Sequence, residues 1–119
     1  MKDIEFLKSN DIDVDGAIEI LGDIDMYNET LKDFLDLSGE RLKNIEKYKN
    51  EGNLEEYAVE VHAMKGDSKY LGFTKLAELA LEHQLKSQDG DMAYVNDNYD
   101  DLINEANRVI NICNEYFGN

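Results

Sequence analysis

Apolar side chains between residues 54 and 71 recur at alternating intervals of three and four. Leu54, Tyr57, Val61, Met64, Ser68 and Leu71 stand at spacings of 3, 4, 3, 4 and 3. Val95, Tyr99, Leu102, Ala106, Val109, Cys113 and Tyr116 repeat the rhythm at 4, 3, 4, 3, 4 and 3. This period puts one side chain per turn on a single stripe of an α-helix, whereas a strand needs an alternation of two. A helix with one apolar stripe must bury it against other elements. No proline occurs in the 119 residues, so nothing in the chain forces a long helix to break.

The rest of the chain follows the same pattern. A short helix is expected over residues 14–21, stopped by Gly22-Asp23. Asp25 is expected to cap a long helix over residues 26–50, with Tyr27, Leu31, Phe34, Leu35, Leu42, Ile45 and Tyr48 as its apolar positions. Glu51-Gly52-Asn53 ends it. The Leu54 seam gives a helix over 54–70, and Leu71-Gly72 makes a tight turn. A further helix covers 73–87, with Leu76, Ala80 and His83 on one line and Leu79 beside it. Gln88-Asp89-Gly90-Asp91 is a polar loop, and the last helix covers 92–116, its stripe broadened by Ile103, Ile110 and Phe117. A chain of this length makes one domain with a real core and is too short for two. The expectation is an all-α fold: a single domain over residues 1–119, an antiparallel up-down four-helix bundle with a short N-terminal capping helix.

Charge excludes several classes of function. Twelve basic and 27 acidic residues give a net charge of −15. Phosphate neutralisation needs Lys and Arg in quantity, so neither nucleic acid nor an anionic membrane surface is an expected partner. No apolar run approaches the ~20 residues of a membrane span. Met1-Lys2-Asp3-Ile4-Glu5 contains no apolar signal core. Cys113 is the single cysteine, so no internal disulfide can form, and it is expected to pack on the seam. These features point to a soluble cytoplasmic protein, and a self-contained bundle points to a monomer.

Chemistry is concentrated in the segment from His62 to Gly72. If Val61 faces the core, His62 is rotated from it by about 100°. Ala58, Lys65, Gly66 and Lys69 share its side at offsets of −4, +3, +4 and +7. An exposed imidazole is largely neutral and nucleophilic near neutral pH. Lys65 and Lys69 could offset the charge of an incoming phosphoryl group, and Ala58 and Gly66 leave a shallow surface for a partner. Glycine inside a helix costs roughly 1 kcal/mol relative to alanine, so Gly66 asks for a reason, which is partner access or packing on a neighbouring helix. His83 reads as a core-edge histidine held by a hydrogen bond. No metal site is expected, because His62, His83 and Cys113 have no ligand spacing.

The segment resembles the signature of histidine-containing phosphotransfer (HPt) domains, His-x-Leu-Lys-Gly-x-Ser/Ala followed by an apolar residue and Gly. His62, Lys65, Gly66, Ser68, Leu71 and Gly72 stand at the matching offsets, with Met64 in the Leu place. Asp15-Gly16-Ala17, the positions Tyr27, Leu31 and Phe34, and the segment from Leu76 and Ala80 to Gly90-Asp91 extend the likeness. His83-Gln84 departs from the usual Leu-Glu, and Asp67 puts a charge where a small residue is common; neither is expected to touch the phosphoacceptor arrangement.

The resemblance implies a phosphorelay intermediate of two-component signal transduction without autonomous catalysis. His62 would accept a phosphoryl group from an aspartate of a response-regulator receiver domain, including that of a hybrid histidine kinase, and pass it to another receiver. Lys65 would support the phosphoryl group, while Ala58, Gly66 and Lys69 would serve docking and access. The chain itself would need no cofactor, since Mg2+ would sit on the receiver. The alternative is an adaptor that docks on receivers without being phosphorylated.

Overall fold

In a computed structural model, which describes residues 1–118, the chain forms six α-helices. They are α1 (Ile4–Lys8), α2 (Val14–Leu21), α3 (Ile24–Glu51), α4 (Leu54–Leu71), α5 (Thr74–Gln88) and α6 (Met92–Phe117). Short polar side chains set most of the starts. Asp3, Asp13, Asp23, Asn53 and Asp91 each accept a backbone N–H from the first turn of the helix they precede. Such a cap is worth about 1 kcal/mol.

One expectation is corrected here. The cap of α3 is Asp23, not Asp25: its extended backbone aims the carboxylate at the N–H of Met26, 2.9 Å away. Asp25 falls inside the first turn, where a negative charge still favours the positive end of the helix. The four-helix bundle with its short N-terminal capping helix, α2, is as expected, and α1 is one further short helix ahead of it. The five residues of α1 are too few to display a period, so only the Asp3 cap announces it.

Four long helices make the bundle. α3 packs on α4, α4 on α5, α5 on α6, and α6 closes back on α3. Their connections are two or three residues long, which makes successive helices antiparallel. One core joins them, including Leu31, Ile45, Tyr57, Val61, Leu71, Leu76, Ala80, Leu102, Val109 and Cys113. Burial pushes the Cys113 thiol up to about 12, so it behaves as a small apolar side chain.

α1 and α2 seal the end of the bundle that carries the α4–α5 turn. The Asp13 N–H donates to the Gly72 carbonyl at 2.9 Å, and the Tyr27 hydroxyl donates to the Leu71 carbonyl at 2.9 Å. The Lys2 N–H donates to the Tyr116 carbonyl at 2.8 Å. Arg108 clamps the nearly buried Glu105 with two bonds of 2.8 Å and also donates to the Asn10 carbonyl. Gly72 is required twice over at this junction. Its φ is +84°, and an added Cβ would lie 2.3 Å from the Asp13 carbonyl oxygen.

His83 is fully buried between three helices. Its Nε2 lies 3.1 Å from the Asn98 carbonyl, which can only accept, so Nε2 carries the hydrogen. Nδ1 therefore accepts from the Tyr57 hydroxyl at 2.9 Å. The neutral ring is thus satisfied at both nitrogens. Burial is the main reason its pKa is lowered, against the opposing pull of the Asn98 carbonyl, Glu82 and Asp101.

Two predictions follow from the geometry of Gly72 and His83. Gly72→Ala should destabilise the fold by about 2 kcal/mol or more, read from urea unfolding, because backbone strain and a clash coincide. For His83, the unfolded ring takes up a proton near pH 6.5 while the folded ring resists it. Stability is therefore complete above about pH 6.5 and declines as the pH falls below it, where the unfolded state binds more protons. The loss of unfolding free energy between about pH 7.5 and about pH 5.5 should be smaller in His83→Leu than in the parent.

Candidate functional site

The register of α4 is set by its buried stripe. Tyr57, Val61, Met64, Ser68 and Leu71 all face the core. His62 follows Val61 and is turned by about 100° out of the interface, where it is exposed. Lys65 and Gly66, one turn on, are half-buried, and Lys69 is exposed. Ala58, one turn back, is itself buried, so it forms the floor beside His62 rather than part of an open flank.

Two grooves are lined in part by α4 and α5, and His62 stands in the wall of the first. The first has a volume of about 610 Å³ and is lined by Leu54, Ala58, Val59, His62 and Gln84 among others. The second, of about 430 Å³, lies between α2, α4 and α5, with Ala17, Ile20, Lys65, Lys69 and Leu81 in its walls. Val59, Ile20 and Leu81 are exposed and give the two grooves apolar wall, with Glu55 in the first and Lys65, Lys69, Asp13 and Glu78 in the second. Among the described residues neither Lys65 nor Lys69 forms an ion pair, which leaves both ammonium groups available to an incoming anion.

One contact of His62 was not foreseen from the sequence. His62 Nδ1 lies 3.1 Å from Gln84 Oε1. An amide oxygen only accepts, so Nδ1 holds the hydrogen and Nε2 keeps a lone pair directed away from Gln84. The expectation that His83-Gln84 stands apart from the site is therefore corrected for Gln84. Nothing in the sequence near His62 signals it, because the partner comes from α5, 22 residues away. Asp67 turns the other way. Its carboxylate lies 4.0 Å from the Arg41 guanidinium of α3, which also approaches Glu60 at 3.7 Å. Partial burial raises the Asp67 pKa in spite of Arg41.

Gly66 has open space around it. A Cβ built there would meet nothing within 4 Å, so the glycine is not demanded by a neighbouring helix. The site is thus an oriented, exposed imidazole nitrogen, with Lys65 and Lys69 one and two turns further along the same side of α4 and open space at Gly66. It can receive an electrophilic, negatively charged group from a large partner.

The family model of the Hpt domain matches residues 29–112. The chain belongs to the Hpt domain family. The match covers nearly all of the four-helix bundle, including His62, Lys65, Gly66 and Gln84, and leaves out α1 and α2. Searches of curated proteins and of solved structures gave no significant match. Hpt domains are phosphotransfer carriers that interact with response-regulator receiver domains. Membership gives this chain a histidine phosphotransfer role in a two-component phosphorelay. No described helix is long and apolar enough to cross a membrane.

The open surroundings of Gly66 make a prediction about the fold alone. Gly66→Ala should raise the unfolding free energy by up to ~1 kcal/mol, the helix-propensity difference, since the methyl group meets no obstacle. A loss of stability in chemical denaturation would show that the glycine serves the bundle after all.

Proposed function

We propose that His62 is the phosphoacceptor, taking a phosphoryl group from a receiver-domain aspartyl phosphate and passing it to a second receiver. The observation that carries this reading is the 3.1 Å contact from His62 Nδ1 to Gln84 Oε1, which leaves Nε2 as the exposed nucleophile. In the transfer, the Nε2 lone pair forms the N–P bond while the aspartyl O–P bond breaks and the carboxylate leaves with its electron pair. The Nδ1 hydrogen stays on the ring, and the positive charge that develops there is met by the Gln84 oxygen. Lys65 lies one turn from His62 and supports the phosphoryl oxygens, with Lys69 further along the same side. Return to a second receiver is the same step reversed.

The chain's residues orient the imidazole and neutralise charge; Mg2+ and the acidic pocket are assigned to the receiver. Gly66 supplies clearance for that partner. The apolar surface with Val59, Ile20 and Leu81 supplies area for docking.

The test is incubation with a receiver domain phosphorylated by a small phosphodonor in the presence of Mg2+. Wild-type protein should acquire an acid-labile phosphate, and His62→Gln should acquire none. Lys65→Ala should slow transfer about tenfold, equivalent to ~1.4 kcal/mol of transition-state stabilisation. Gly66→Ala should slow transfer while its fold is intact, because the new methyl stands in the approach path. Label on His62→Gln, or a wild-type protein left unlabelled by every receiver that binds it, would defeat the proposal. The second of these outcomes would favour an unphosphorylated adaptor.

A further inference from the structure

Gln84 can hold His62 only if α5 is held in rotation and height against α4. An apolar core residue does this weakly, because apolar contact is non-directional. Hydrogen bonds are directional and fade with small displacements. At the position directly before Gln84 the chain places not an apolar side chain but His83, bonded on both sides. Tyr57 of α4 donates to its Nδ1 at 2.9 Å, and its Nε2 donates to the Asn98 carbonyl of α6 at 3.1 Å. Tyr94 of α6 closes a third side, its ring edge-on to the imidazole at 5.3 Å between centroids, and its hydroxyl donates to Glu82 of α5 at 2.9 Å. One buried imidazole thus pins α5 to both of its neighbours at a single level.

The α4–α5 pair therefore carries two side-chain hydrogen bonds from adjacent residues of α5. Tyr57–His83 is buried, and His62–Gln84 lies at the surface. An exposed bond between two mobile side chains is weak when alone. Next to a buried and fully satisfied one, it inherits a fixed backbone. We propose that His83 is a positioning residue: its bonds to Tyr57 and Asn98 fix the rotation of α5 so that Gln84 holds His62 with the hydrogen on Nδ1 and Nε2 free. The geometric part stands on its own. Its consequence for transfer rests on His62 being the phosphoacceptor.

The experiment compares wild type, Tyr57→Phe, His83→Leu, Gln84→Leu and the His83→Leu/Gln84→Leu double variant. Long-range proton–nitrogen correlation spectra of His62, recorded in mildly alkaline buffer, report which nitrogen carries the hydrogen. Wild type should show the Nδ1–H form dominant. Tyr57→Phe, which removes one hydroxyl and keeps the ring, should move His62 toward a mixture of both forms, and His83→Leu should do the same. Transfer from a phosphorylated receiver should fall several-fold in each. Because His83 acts through Gln84, the double variant should be no slower than Gln84→Leu alone.

A His62 tautomer unchanged from wild type in Tyr57→Phe and His83→Leu would overturn the proposal, and so would additive losses in the double variant. If His83→Leu does not fold, Tyr57→Phe decides. If wild-type protein takes up no phosphate, the functional reading fails, while the tautomer spectra still settle the positioning role.

Discussion

Burying Tyr57, Val61, Met64, Ser68 and Leu71 on one stripe of α4 fixes the rotation of that helix, and the site follows from the rotation. A full Val or Leu side chain is worth about 1.5–3 kcal/mol when removed from water. Turning α4 by one residue would bring Val61 toward solvent and carry His62 into the core, where an unpaired imidazole costs a further ~1–3 kcal/mol. Both penalties act in the same direction. The exposure of His62 is therefore a consequence of packing and needs no device of its own. The same rotation places Lys65, Gly66 and Lys69 beside it, because offsets of three, four and seven share a face.

Exposure also explains why the site depends on its partner. A phosphoryl group brings close to two negative charges, and two lysines in water offset them only modestly. Coulomb attraction strengthens several-fold when water is displaced, as when a docked domain covers the groove that His62 lines. With a net charge of −15, the chain as a whole repels an acidic partner, and Lys65 and Lys69 lower that repulsion on the side of α4 that carries His62. His62 alone is a nucleophile without a reaction. In the proposed role, a covering receiver turns the same atoms into an oriented acceptor with local charge compensation.

The long helices were legible in the sequence because each is amphipathic over several turns, and their expected ends agree with the observed ones within a few residues. The rotation of His62 out of the core was legible for the same reason, since a seam that names Val61 as buried also names its neighbour as turned away. The polar character of His83 on a core line signalled a hydrogen-bonded histidine. What stayed hidden was short or interhelical. α1 has five residues and no period, and Asp23 and Asp25 both look like caps until the backbone shows which is extended. Gln84 could not be found from local spacing, because its contact with His62 depends on how α5 is rotated against α4. The partners of His83 were hidden likewise, since Tyr57 and Asn98 belong to two other helices.

Gly66 and Gly72 lie six residues apart in the same signature and are glycines for opposite reasons. Gly72 is demanded from inside the fold: a left-handed φ of +84° and the Asp13 carbonyl leave no room for a side chain. Loss of that residue disturbs the α4–α5 turn and the seating of α2 on it. Gly66 has helical backbone and empty space where a Cβ would go, so no contact within the chain accounts for it. It weakens its helix by roughly 1 kcal/mol relative to alanine without any compensating gain in packing. A cost with no return inside the molecule points outward, to a surface that must approach α4 more closely than a methyl group allows. The position lies one turn from His62, so under the proposed phosphoacceptor role the closest approach falls beside the imidazole.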